Sequence, residues 1–123
     1  EWAKEHGITY TVLFTLYVIH ANEENFTPGQ ISSKLALSKQ TISSALDLLE
    51  SKGIILREID KTDKRNRIIR FTQTGREYAQ EILGELDAAE RQAFKEFSPD
   101  TIHDMIAFNR QLTHSLQKVL TLK

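Results

Sequence analysis

Apolar positions recur at helical spacing soon after the chain opens. Val12-Leu13, Leu16-Tyr17 and Ile19-His20 form a run that Thr9 can cap. The polar break Ala21–Asn25 follows, and Thr27-Pro28 then sets a capping hydroxyl before a proline at a first helical position. That pair predicts a short helix through Leu37, with Ile31, Leu35 and Leu37 on its buried side. Ser38 caps again, and the spacing predicts a third helix from Lys39 to about Lys52, closed by Gly53 where a C-terminal glycine sits. The period then changes. Ile54–Ile59 and Arg67–Gln73 read as strands of an antiparallel hairpin with a long charged loop. Thr74 caps a long helix to about Phe97 that carries Tyr78, Ile82, Leu86 and the segment Ala89–Phe94. Ser98-Pro99-Asp100 opens the last helix, with Ile102, Met105, Ile106, Leu112, Leu116, Val119 and Leu120. The order helix, helix, helix, strand, strand, helix, helix defines a mainly α protein with a small β-hairpin (α+β). At 123 residues it is one domain with a modest core.

Composition narrows the function classes. Apolar content of 40% and charged content of 27% are those of an ordinary folded domain. The absence of cysteine excludes disulfides, thiolate metal sites and thiol redox sensing within this sequence. No apolar run approaches a membrane span, and no signal-peptide pattern opens the chain, so the expectation is a cytoplasmic protein with no membrane partner. The net charge of −1 conceals a strong asymmetry. Residues 1–30 hold one lysine and four acids, residues 31–76 ten Lys/Arg and five acids, and residues 77–123 five Lys/Arg and eight acids. The basic middle, at +5 between two segments of −3, is an electrostatic footprint for a polyanion.

Two elements concentrate that footprint. With Ile42 at the centre of the third helix, Ala45, Leu46 and Leu49 fall within about 60° of it, which leaves a narrow core-facing stripe. Gln40, Ser43, Ser44 and Asp47 stand opposite, Thr41 lies on the flank, and Leu48 points partly outward. Such side chains hydrogen-bond base edges and phosphates, and they occupy the first turns, where a recognition helix meets the major groove. A polar face alone is more often merely solvated. The context changes that weighting: a short capped helix precedes this one, and the segment Asp60–Arg70 follows with seven charged residues in eleven positions. A helix-turn-helix followed by a two-stranded ribbon is a winged helix, and an arginine-bearing tip suits a narrow minor groove.

The run Leu37-Ser38-Lys39-Gln40-Thr41-Ile42-Ser43, then Leu49–Ile55 and Arg57, resembles the recognition-helix signature of MarR-family transcriptional regulators. Asp60-Lys61-Thr62-Asp63-Lys64-Arg65 and the closing Phe71-Thr72-Gln73-Thr74-Gly75 are similar to that family's wing, D-x-x-D-x-R followed by L-T-x-x-G. Order and spacing match from residue 8 to about 120. The resemblance implies a homodimeric repressor or activator on a pseudo-palindromic operator, with double-stranded DNA as partner and a small-molecule effector as a further one. It implies a DNA-binding lobe at about 27–75, with the N-terminal segment and about 76–123 forming dimerisation helices. Ser38, Lys39, Gln40, Thr41, Ser43, Ser44, Asp63, Lys64, Arg65 and Arg67 would face DNA, with Arg65 in the minor groove and Asp63 holding the wing in shape. Ile102, Met105, Ile106, Leu112, Leu116, Val119 and Leu120 would form the dimer interface. Two departures stand out: many members carry arginine where this chain has Ser44, and they have a long helix ahead of the segment matching Ile8. Either the chain is a fragment or its dimer rests mainly on the C-terminal helices.

Other chemistry is weak in this sequence. His103 and His114 share a helix face but lie about 16 Å apart along it, so the histidines, with His6 and His20, read as structural or surface groups, and no metal or cofactor is expected. Trp2, Tyr10, Phe14, Tyr17, Phe26 and Phe94 could line an effector pocket, although aromatics at helical spacing are more often plain core. No nucleophile motif, phosphate loop or apolar carboxylate pair marks an enzyme. The rivals to a DNA-binding regulator are a winged-helix protein-interaction module without DNA binding and a small-molecule carrier.

Overall fold

Four of the five predicted capping residues, Thr9, Thr27, Ser38 and Ser98, accept the backbone amide three residues on. In the computed structural model, which describes residues 1–121, Thr9 accepts from Val12 N–H and Ser38 from Thr41 N–H. Thr27 accepts from Gln30 N–H while the Gln30 side chain returns the bond, and Ser98 accepts from Thr101 N–H. The elements are α1 (Trp2–Glu5), α2 (Tyr10–Ala21), α3 (Pro28–Leu35), α4 (Lys39–Ser51), β1 (Ile55–Ile59), β2 (Arg67–Phe71), α5 (Gln73–Phe94) and α6 (Pro99–Thr121). The predicted class therefore holds: helices with one antiparallel hairpin. The short α1 is an addition to the predicted order.

The boundaries that differ have local causes. α3 stops at Leu35, not Leu37, because Ala36 adopts a left-handed conformation (φ 54°). This turn lets Ala36 and Leu37 N–H close back on Ser33 and Ser32 carbonyls at 3.3 and 3.1 Å. The hairpin starts at Ile55 because Ile54 N–H is spent closing α4 on Leu49 O at 2.9 Å, next to Gly53 at φ +71°. β2 ends at Phe71, and α5 is capped by Thr72 instead of Thr74: Gly75 N–H donates to Thr72 Oγ1 at 2.9 Å. α5 ends at Phe94, and Lys95 and Phe97 N–H turn back to Arg91 and Phe94 carbonyls.

The chain divides inside α5 into two compact units, Glu1–Gly84 and the segment from Glu85 onward. In the first, Leu16 and Ile19 of α2, Ile31 of α3 and Ile42, Leu46 and Leu49 of α4 are fully buried with Ile55 and Ile69 of the hairpin. Removing such side chains from water is the main force that holds α2, α3, α4 and the ribbon together. Gly75 is required at the root of that ribbon. A Cβ there would lie 1.8 Å from Ile54 O, so only glycine lets the first turn of α5 pass so close to the backbone that leads into β1. In the second unit no α6 residue is buried; Ile102 is half-buried, while Met105, Ile106, Leu112, Leu116, Val119 and Leu120 are exposed.

The aromatic residues depart from the plain-core reading. Tyr10, Phe14 and Tyr17 are 60%, 49% and 57% exposed, Phe94 is also exposed, and Trp2 and Phe26 are half-buried. α2 is apolar around most of its circumference. The periodicity therefore could not say which stripe the core would take, and the core took Val12, Leu13, Leu16, Val18 and Ile19. No helix among the described residues is long and apolar enough to cross a membrane.

Candidate nucleic-acid interface

α4 is held from behind and open in front. Its buried stripe is Ile42, Ala45, Leu46 and Leu49, the four residues the 100° periodicity selects. Lys39, Gln40, Thr41, Ser44, Asp47 and Leu48 are exposed, and Ser43 is half-buried. Ser38 and Thr41 are partly committed to the cap, since their hydroxyls meet at 2.8 Å and Ser38 also holds the Thr41 amide. Gln40 Nε2 donates to Ser44 Oγ at 3.4 Å, a long bond that a stronger partner can replace. The groups open to a ligand are thus Lys39, Gln40, Ser43 and Ser44, at the positive end of the helix dipole, which favours phosphate.

The wing is shaped by carboxylates bonded to their own backbone. Asp60 Oδ1 accepts the amide and hydroxyl of Thr62 at 2.9 and 2.7 Å, and these bonds, the hydroxyl first, hold its pKa below the ordinary value. Asp63 accepts Arg65 N–H at 3.1 Å, Arg65 Nε at 3.2 Å and Asn66 Nδ2 at 3.4 Å. Such side-chain turns are what Asp contributes where a ribbon must reverse. The Arg65 guanidinium, aligned by Asp63, remains 90% exposed. Among the described residues, the Arg67 guanidinium donates to the carbonyls of Lys64 and Asn66. Lys61 and Lys64 are exposed, with no ion pair among the described residues.

The basic surplus divides between surface and scaffold. Arg57 meets Asp47 at 2.8 Å and Glu50 at 3.6 Å, tying β1 to α4. Arg70 pairs with Glu58 at 3.2 Å across the ribbon, and Arg76 with Glu24 at 3.0 Å. Three of the middle segment's arginines are therefore neutralised within the protein. Lys34, Lys39, Lys52, Lys61, Lys64, Arg65 and Arg67 remain exposed, five of them at the start of α4 or on the wing's tip. Charge counting alone could not separate these two groups. The Arg57–Asp47 pair was legible only as an acid on the reading face and a basic residue in the strand after it.

An open recognition-type helix beside a ribbon with exposed arginine at its tip defines a winged helix-turn-helix, the class of protein met here. A family model described as the MarR family matches residues 6–66. The HTH-type transcriptional regulator YkoM of Bacillus subtilis, described as uncharacterized, is 31% identical over 104 residues, 85% of this chain and 67% of that protein. The HTH-type transcriptional regulator SarZ of Staphylococcus epidermidis is 28% identical over 98 residues, 80% of this chain and 63% of SarZ. Among solved structures, a Staphylococcus aureus MepR–DNA complex superposes with a TM-score of 0.78 at 25% identity, over 93% of this chain and 83% of that one. The chain belongs to the MarR family, whose members here are transcriptional regulators and not enzymes. It spans about two thirds of the length of YkoM and somewhat less of SarZ.

Proposed function

We propose that the protein is a sequence-specific DNA-binding transcriptional regulator, a repressor, that acts as a homodimer on a pseudo-palindromic operator. One observation carries the reading. Exposed cations and polar groups stand together on two neighbouring elements of the first unit, the N-terminal turns of α4 with Lys39, Gln40 and Ser44 and the tip of the ribbon with Lys61, Lys64, Arg65 and Arg67. Lys39, Gln40, Ser43 and Ser44, with the cap residues Ser38 and Thr41, form the major-groove side in this proposal. Asp63, Lys64, Arg65 and Arg67 form the minor-groove side. The similarity to MepR, seen in complex with DNA, supports the same reading.

The exposed face of α6, with Met105, Ile106, Leu112, Leu116, Val119 and Leu120, supports homodimerisation through about residues 76–123, because so much apolar surface on one helix favours burial against a second copy. The exposed aromatic side chains of α2 support release by a small, partly apolar effector. Work on DNA puts the protein in the cytoplasm. The test is selection of duplexes from a random pool by the full chain, followed by affinity across a salt series. The expected result is an enriched pair of inverted half-sites about 10 base pairs apart, with affinity that falls steeply as salt rises. Without enrichment or salt-sensitive binding the protein-interaction module becomes the better reading.

A further inference from the structure

The segment between α2 and α3 does more than connect them. Glu23 and Glu24 both adopt left-handed backbone conformations (φ 55° and 56°), which non-glycine residues disfavour and keep only where contacts hold them. Glu24 supplies those contacts. Its Oε1 accepts the Phe71 amide at 2.6 Å, and both of its oxygens accept from Arg76 at 3.0 Å. Its backbone carbonyl accepts from the Arg70 guanidinium, which also reaches Glu58 across the ribbon. Two residues on, Phe26 O accepts the Ile69 amide at 3.0 Å. The segment thus lies against the outer edge of β2, where the Phe26 carbonyl takes one outward amide and the Glu24 carboxylate another.

We infer that Glu24 is a positioning residue that fixes the angle of the wing to the reading helix, so that the arginine tip is ordered before DNA arrives. The inference rests on the DNA-binding reading above and deepens it. β1 is fastened to α4 through Arg57 and Asp47, whereas β2 has no such ion pair to the reading helix among the described residues. Glu24 fastens β2 instead, and it does so from the segment that leads directly into α3 and the helix-turn-helix. It also joins the first turn of α5 through Arg76, so one side chain clamps the wing's root from two directions. A wing ordered in advance spares the complex the entropy of ordering it on DNA.

The test uses the full chain carrying Glu24→Ala, with Glu24→Gln beside it and Arg65→Ala as a probe of wing engagement. Amide exchange across Ile55–Phe71 should rise at least about tenfold in Glu24→Ala, while α4 amides keep wild-type protection. Affinity for duplex DNA should fall about tenfold, as it does when the competent state drops to about one tenth of the population. Arg65→Ala should then weaken binding less in the Glu24→Ala background than in the wild type. Glu24 and Arg65 share no hydrogen-bond partner among the described residues, so their effects add unless the wing links them. A general loss of stability would leave the Arg65 effect unchanged. Should Glu24→Ala fail to fold, Glu24→Gln carries the same readouts with smaller changes, because it keeps an acceptor for Phe71 and loses the charge facing Arg76. Unchanged wing exchange in a folded variant, or full additivity with Arg65→Ala, overturns the proposal. A wild type with no salt-sensitive DNA binding overturns the DNA reading instead, and the exchange result still decides whether Glu24 clamps the wing.

Discussion

The reading helix and the wing present polar groups to the same solvent but are held by opposite means. α4 rests on four buried apolar side chains, and only the far end of its exposed face, Asp47 and Glu50, is tied to Arg57 of β1 among the described residues. The wing's tip has no core. Its shape comes from Asp60 and Asp63 bonded to neighbouring residues, and its root from the Glu24 cluster. Polar residues in the first turns of α4 are therefore free to vary with the target sequence, while the wing's carboxylates are needed for its shape. Substitutions on the exposed face of α4 and at the wing's outward arginine should act on affinity alone, whereas those at the wing's shaping carboxylates should act on shape and affinity together.

The largest effect should come from removing the support of the helix. Leu46 is fully buried, and Leu46→Ala should destabilise the protein by about 2–5 kcal/mol through lost burial and the cavity left behind. Thermal melting followed by circular dichroism measures it; a change of less than about 1 kcal/mol would mean that the helix is anchored elsewhere. Next comes Arg65→Ala at the wing's tip, expected to weaken operator binding by about 1–3 kcal/mol per half-site and to reduce the salt slope by about one. Melting should hardly move, since the side chain is almost fully exposed. Arg65→Lys should bind more weakly than the wild type despite its unchanged charge, because lysine lacks the planar, weakly hydrated fork. Wild-type affinity in Arg65→Ala would reduce the wing to a charged turn.

A smaller effect, confined to one pH range, sharpens the contrast at the wing's root. Burial would raise the Glu24 pKa, but the Phe71 amide and the Arg76 guanidinium outweigh it and hold the carboxyl below its ordinary value of 4.5. The folded pKa is thus the depressed one. Its contribution to stability is complete above pH 4.5 and is lost as pH falls through the folded pKa. Glu24→Gln should accordingly be less stable than the wild type at neutral pH, and the gap should narrow in acid; a gap independent of pH in denaturant titrations would deny the carboxylate this role. The smallest effect carries the opposite sign. Ala36 holds a left-handed conformation in the turn between α3 and α4, so Ala36→Gly should raise stability by roughly 1 kcal/mol, visible as a higher melting temperature. A lower one would show that the alanine methyl packs usefully there.

The two regions also differed in how far the sequence revealed them. Helix periodicity selected Ile42, Ala45, Leu46 and Leu49 correctly because a narrow apolar stripe leaves a helix one way to face. Thr9, Thr27, Ser38 and Ser98 were legible because a cap is a local bond between residues three apart. The root of the wing was not. Glu24 meets partners 46, 47 and 52 residues away, and no pattern within a window of the chain connects them. The aromatic side of α2 was misjudged for a related reason, since an apolar helix gives no local sign of which stripe the fold will cover. The sequence pointed to Thr74 as the cap of α5. The close approach of Ile54 to Gly75 and the Thr72 bond to the Gly75 amide settle it for Thr72.

The seam along β2 has a consequence for how the molecule behaves in a crowd. An exposed ribbon edge is a template onto which other chains can add strands, the route to sticky aggregates. Here the outward amides of Ile69 and Phe71 are already taken, one by the Phe26 carbonyl and the other by the Glu24 carboxylate. A foreign strand would have to displace a charged group and its arginine partners before pairing there. That edge of the ribbon is thereby closed to strand addition at Ile69 and Phe71.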